Sequence, residues 1–69
     1  MLTFKFRFVF EDYDDLFFEC RCISVRQAFS WGFHKMADLE VDFLVVRKFE
    51  VTQVSASGSH LPCGYALIW

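Results

Sequence analysis

From Leu2 to Phe10 apolar and polar side chains alternate, with Leu2, Phe4, Phe6, Phe8 and Phe10 in one phase and Thr3, Lys5, Arg7 and Val9 in the other. Successive side chains of a strand point to opposite faces, so this period of two predicts a half-buried strand. Glu11 to Asp15, EDYDD, interrupts it with polar turn formers. A second strand is expected from Leu16 to Ile23, with Leu16, Phe18, Cys20 and Cys22 in phase. Setting Phe10 opposite Leu16 gives a hairpin in which Phe8 meets Phe18, Val9 meets Phe17 and Arg7 meets Glu19. Lys5 against Arg21 is its one unfavourable pair.

The period changes at Ser24. Val25, Ala28, Phe29, Gly32, Phe33 and Met36 recur at helical spacing, which predicts a helix over Ser24–Ala37 with one apolar stripe. Ser24 and Gln27 form a capping box at its start. Gly32 costs roughly 1 kcal/mol against Ala in a helix interior. Its place on the stripe implies that a strand packs closely there.

Asp38 to Glu40 reads as a short polar connection. Val41 to Val54 is rich in β-branched residues and reads as one long strand, bent at Arg47–Lys48, or as two. No Gly or Asn supplies a tight turn at that point, which favours the single strand. Val41, Phe43, Val45, Phe49 and Val51 share one phase; Leu44, Val46, Lys48, Glu50 and Thr52 share the other. Ser55 to His60 is a small-residue loop, and Cys63 to Trp69 reads as a last short strand with Cys63, Tyr65, Leu67 and Trp69 in phase.

The expected fold is therefore α+β and a single domain over residues 1–69. A small antiparallel sheet of three to four strands carries one helix on one face, in the order β-β-α-β-β. The expected core is Phe4, Phe6, Phe8, Phe18, Phe29, Phe33, Met36, Phe43 and Val51. The face away from the helix would present Lys5, Arg7, Val9, Phe17, Arg21, Ile23, Leu44 and Val46.

Composition sharpens the question of what covers that face. The chain has 69 residues, 55% of them hydrophobic and ten of them Phe. That is a heavy apolar load for so small a core, and the surplus points to an interface. A net charge of −2 has the wrong sign for a general nucleic-acid binder. Among the apolar runs none approaches a membrane span, and the Phe-Lys-Arg alternation at the start does not read as a secretion signal. Three cysteines, an odd count, fit reduced thiols in a cytoplasm.

Candidate chemistry is thin. Cys20, Cys22, His60 and Cys63 are the right residue types for zinc. However, residues i and i+2 of a strand lie about 6.5 Å apart, whereas zinc-bound sulfurs sit within roughly 4 Å of one another. Burial as small apolar side chains is the expectation, with no metal and no cofactor. His34 and His60 lack a nucleophile in a recognisable context, and no Gly-rich phosphate loop exists, so no enzyme is expected. Lys5, Arg7, Arg21 and Phe17 resemble in type a stacking platform for single-stranded nucleic acid, but the glycine-aromatic signature of the common RNA-binding sheet domain is missing. The leading expectation is a protein-binding surface made of Phe17, Tyr13, Trp31, Val9, Arg7, Arg21, Leu44 and Val46. Its partner is another protein or a second copy of the chain. A small homodimeric structural subunit stays open as an alternative.

Ser24, Gln27 and Ala28 at the helix start, with Phe49, Glu50, Val51, Thr52 and Val54 in the following strand, give the chain a resemblance. It resembles the small early phage proteins that inhibit host enzymes, among them phage inhibitors of bacterial RNA polymerase. The resemblance implies a non-enzymatic inhibitor of a host protein, working in the host cytoplasm. That family engages polymerase through arginines at and just after this strand; Gln53 and Ser55 stand at those positions here.

Overall fold

The computed structural model describes residues 1–41 and 45–68. The elements run β1 (Leu2–Phe10), β2 (Leu16–Cys22), α1 (Val25–Val41), β3 (Val46–Val54) and β4 (His60–Leu67). The strands form one antiparallel sheet in the spatial order β2-β1-β3-β4, and α1 packs on one face of it. This is the α+β, β-β-α-β-β architecture expected from the alternation. Both β2 and β3 run antiparallel to β1, so they are parallel to each other. Joining parallel strands needs a long crossover, and α1 is that crossover, passing over β1.

The core forms where α1 meets the inward phase of the sheet. Phe4, Phe6 and Phe8 of β1 are fully buried there, with Phe49 and Val51 of β3, Cys22 of β2 and Ala28 and Leu39 of α1. The aromatic rings meet at tilted or edge-on angles, Phe8 with Phe18 at 5.6 Å and with Phe49 at 5.4 Å. No polar or charged side chain is buried among the described residues.

The capping box is present at the start of α1. Gln27 N–H donates to Ser24 Oγ at 3.1 Å, and the Gln27 side chain accepts from Ile23 N–H at 2.8 Å. Gly32 works as its place on the stripe implied. A Cβ there would stand 2.5 Å from the Phe49 ring, so only glycine lets the helix sit this close to β3.

Several expectations are corrected. The hairpin register is shifted by two residues: Phe8 faces Leu16, Arg7 faces Phe17 and Lys5 faces Glu19. A shift of two keeps every side chain on its face and replaces the Lys5–Arg21 repulsion with an opposite-charge pair. The helix runs through Val41 rather than stopping at Ala37, because Leu39 continues the inward stripe and is buried. The stripe is also rotated: Trp31 turns inward and Phe33 is left 46% exposed, although its ring still meets Phe49 edge-on. Finally, the long strand begins at Val46, not Val41. Phe43, expected in the core, lies outside the described residues.

Val46 is the most instructive correction. Its phase predicted the uncovered face, yet it is 0% exposed under the helix. The β1–β3 register passes from Val9↔Lys48 to Phe10↔Val46, so Arg47 is an extra residue on β3. Such a bulge reverses which phase points inward, and the bend suspected at Arg47–Lys48 is this bulge. A second bulge separates Val51↔Gly64 from Thr52↔Pro62 and leaves Cys63 as the extra residue of β4. It takes Cys63 out of phase with Tyr65 and Leu67, and Cys63 packs against the core. Gly64 at this bulge has φ 125, a conformation L side chains rarely adopt.

Candidate protein-binding face

The register lays out the open face of the sheet as rows across four strands. One row reads Phe17, Arg7, Glu50, Tyr65; the next reads Glu19, Lys5, Thr52, Pro62. On the other side of Arg7, Val9, Lys48 and Leu67 form a third row. Paired charge therefore occupies the centre of the face, with exposed Phe17 on one edge and Tyr65 and Leu67 on the other, and the β2 edge also carries Glu19 and Arg21. This inverts the expectation of an apolar centre rimmed by charge. Phe17 is 70% exposed, and across the sheet Tyr65 and Leu67 are 65% and 66% exposed.

Arg7 organises the middle. Its Nε and Nη2 each reach Asp15 Oδ2 at 2.7 Å, and its Nη1 reaches Glu50 Oε1 at 3.0 Å. The Asp15 hydrogen bond, with Glu50 adding to it, raises the basicity of the guanidinium further. Lys48 Nζ stands 3.8 Å from the other Glu50 oxygen and 5.9 Å from the centre of the Tyr65 ring. Exposed pairs of this kind add little stability in water; what they do is hold the side chains in register and neutralise the centre. Between the edges lies a shallow depression of about 330 Å³, bounded by Lys5, Arg7, Phe17, Glu50, Thr52, His60 and Pro62.

The residues expected to bind a partner are divided by the fold. Phe17, Val9, Arg7 and Arg21 share the open face, with Val9 half-buried and Arg21 exposed opposite Thr3. Tyr13 is exposed at the hairpin tip, its ring edge-on to Phe10 at 6.0 Å. Trp31 lies on the other side of the sheet, where its ring packs 4.5 Å from Phe6 and 6.3 Å from Phe18. Val46 is core, for the reason given above, and Leu44 lies outside the described residues. Tyr65, Leu67 and Pro62 were missed. Tyr65 and Leu67 were legible as one phase of the last strand, but that strand had no assigned neighbour, so the phase could not be given a face.

Cys20 and Cys22 face α1 from β2, and Cys63 with His60 sits on β4. These strands are the two edges of the sheet, about 14 Å apart at roughly 4.8 Å per strand. Among the described residues no three His, Cys, Asp or Glu side chains converge to hold a metal ion. No helix among them is long and apolar enough to cross a membrane. Comparison with protein-family models, curated proteins and solved structures finds no match to this chain.

Proposed function

We propose that this chain is a small non-enzymatic protein-binding module, a phage-type inhibitor that acts in the cytoplasm by occupying a surface of a host protein such as RNA polymerase or a defence complex. The observation that carries the reading is the open face, where exposed Phe17 and Tyr65 flank a centre in which Arg7 and Lys48 have carboxylate partners. Phosphate recognition needs cations free to replace counterions, and Arg7 and Lys48 are engaged within the protein. Exposed aromatic side chains beside a matched charge network suit a polypeptide partner, for which such residues are frequent anchors. The spacing between the edges, about 14 Å, also accommodates one helix of roughly 10–12 Å diameter.

The test is capture from a nuclease-treated bacterial lysate by the immobilised chain and by a Phe17→Ala/Tyr65→Ala variant of unchanged circular dichroism. A protein should be retained by the first and lost by the second. With that partner purified, removing one anchor should weaken binding by about 2 kcal/mol, roughly 30-fold. Recovery of nucleic acid alone, with affinity falling steeply as salt rises, would replace this reading by the single-stranded nucleic-acid alternative. Dimerisation abolished by the same two substitutions would assign the face to self-association.

A further inference from the structure

The sheet ends in two edges that differ in kind. On β4, Pro62 has no N–H to offer, and the bulge at Cys63, with Gly64 at φ 125, interrupts the run of pairing groups. Proline and bulges are devices by which sheets close an edge to further strands. On the other side, β2 has neither. Leu16–Cys22 contains no Pro or Gly and pairs with β1 without a register shift. Among the described residues no strand lies beyond it, so alternate backbone N–H and C=O groups of β2 face outward along a regular edge.

The side chains along that edge are self-complementary. On the open face Phe17 and Ile23 are 70% and 69% exposed, and exposed Glu19 and Arg21 stand between them. We propose that β2 pairs with β2 of a second copy of this chain, antiparallel and centred on Cys20, joining two four-stranded sheets into one of eight strands. A two-fold axis normal to the sheet keeps both helices on one face and sets residues of like phase opposite each other. Centring on Glu19 would set that carboxylate against its copy, and centring on Arg21 would set two guanidiniums together; like charges directly opposite are unfavourable. Centring on Phe18 would spend Glu19 on Phe17. Centring on Cys20 places Glu19 opposite Arg21 of the second copy, twice by symmetry, with Phe17 beside Ile23 at each end. Lys5, which faces Glu19 from β1, then completes a row of alternating charge across the junction. Ile23 adds only its side chain, because its N–H is already taken by Gln27.

The contact uses the sheet edge and leaves Tyr65 and Leu67 untouched, so it stands or falls apart from the host-protein reading. A contact one strand long, about 23 Å for the seven residues of β2, is small beside permanent interfaces. The dimer should therefore form and dissociate with concentration.

The experiment is sedimentation equilibrium of the full chain, kept reduced so that no disulfide links two copies. Monomer and dimer should both be populated below about 1 mM. Glu19→Arg and Arg21→Glu each turn both ion pairs into like-charge contacts and should weaken the dimer about tenfold or more, with circular dichroism unchanged. Mixed in equal amounts, the two variants regain both opposite-charge pairs, one edge carrying two cations and the other two anions. The mixture should form a heterodimer at least as tight as the parent dimer. Tyr65→Ala should dimerise as the parent does. The proposal is overturned if the parent stays monomeric up to about 1 mM, if either single charge variant dimerises like the parent, or if the mixed variants fail to associate. It is overturned equally if Tyr65→Ala abolishes the dimer, which would move the contact to the open face.

Discussion

The two faces of β1 are built from neighbouring residues and stabilised by different physics. Phe8 and Arg7 are adjacent in sequence, and each has a direct partner on β3, Phe49 for Phe8 and Glu50 for Arg7. On the covered face the partners are rings shielded from water, where burying an aromatic side chain is worth about 1.5–3 kcal/mol. On the open face they are ions already hydrated in the unfolded chain, and pairing them changes little. The same strand therefore carries the fold on one side and leaves the other free for function. Neither face resembles the surplus apolar patch that composition alone suggests, because most of the phenylalanines lie under or against the helix.

The comparison is tested most severely by truncation on either side. Phe8→Ala should destabilise the protein by about 3–5 kcal/mol, enough to unfold a domain this small. Phe17→Ala should stay within about 0.5 kcal/mol. Urea titration with tryptophan fluorescence measures both. A Phe17 variant as damaged as the Phe8 variant would mean that the open face is itself buried in a homo-oligomer.

A smaller effect concerns the distance between helix and sheet. Gly32→Ala gains about 1 kcal/mol of helix propensity, but the new methyl runs into the Phe49 ring. Phe49 is fully buried among Phe8, Phe29 and Phe33 and has little room to yield. Overpacking costs about 1–3 kcal/mol, so the net result should be a loss of up to about 2 kcal/mol. A stabilised Gly32→Ala protein would show that α1 can lift from β3.

Alkaline pH probes the covered face through its one buried thiol. An ordinary thiol titrates near 8.5, and burial, then Cys20, push Cys22 up to about 11. Between these values the unfolded chain has released the proton and the folded chain keeps it. The Cys22 contribution is thus fully present below about pH 8.5 and is lost as pH rises through about 11. Thermal melts across this window should fall less steeply for Cys22→Ala than for the parent.

The smallest effect is expected at the centre of the open face. Arg7→Gln keeps length but gives up the ion pairs to Asp15 and Glu50, and its melting temperature should shift little. The parent should lose a small increment of stability between low and high salt as these exposed pairs are screened, and the variant should not. A large destabilisation would show that Arg7 does more than align the middle strands.

What was legible and what was not follow the range of the forces involved. The β1 strand, the capped helix and the close approach at Gly32 were readable because periodicity, capping and steric size act within a few residues. The identity of the open face was readable on β1 and β2 for the same reason, which is why Arg7, Val9, Phe17 and Arg21 stay together. The hairpin register misled by two residues because such a shift leaves every residue on its face, so the hydrophobic pattern cannot choose between the alternatives. The helix end misled because Asp38 and Glu40 suit either a loop or a solvent-facing helical turn, and burial of Leu39 decides for the helix.

By itself, the sequence determined that a β-β-α-β-β chain would bury one face of β1, since four Phe in one phase of a strand make an apolar face that must be covered, and the helix is the amphipathic element at hand. Only the tertiary structure decided the rest. The bulge at Arg47 turned Val46 inward, and the strand order set Tyr65 and Leu67 on the far edge of the open face. Each depends on which backbone groups pair across strands distant in sequence, and no local pattern of side chains encodes that pairing.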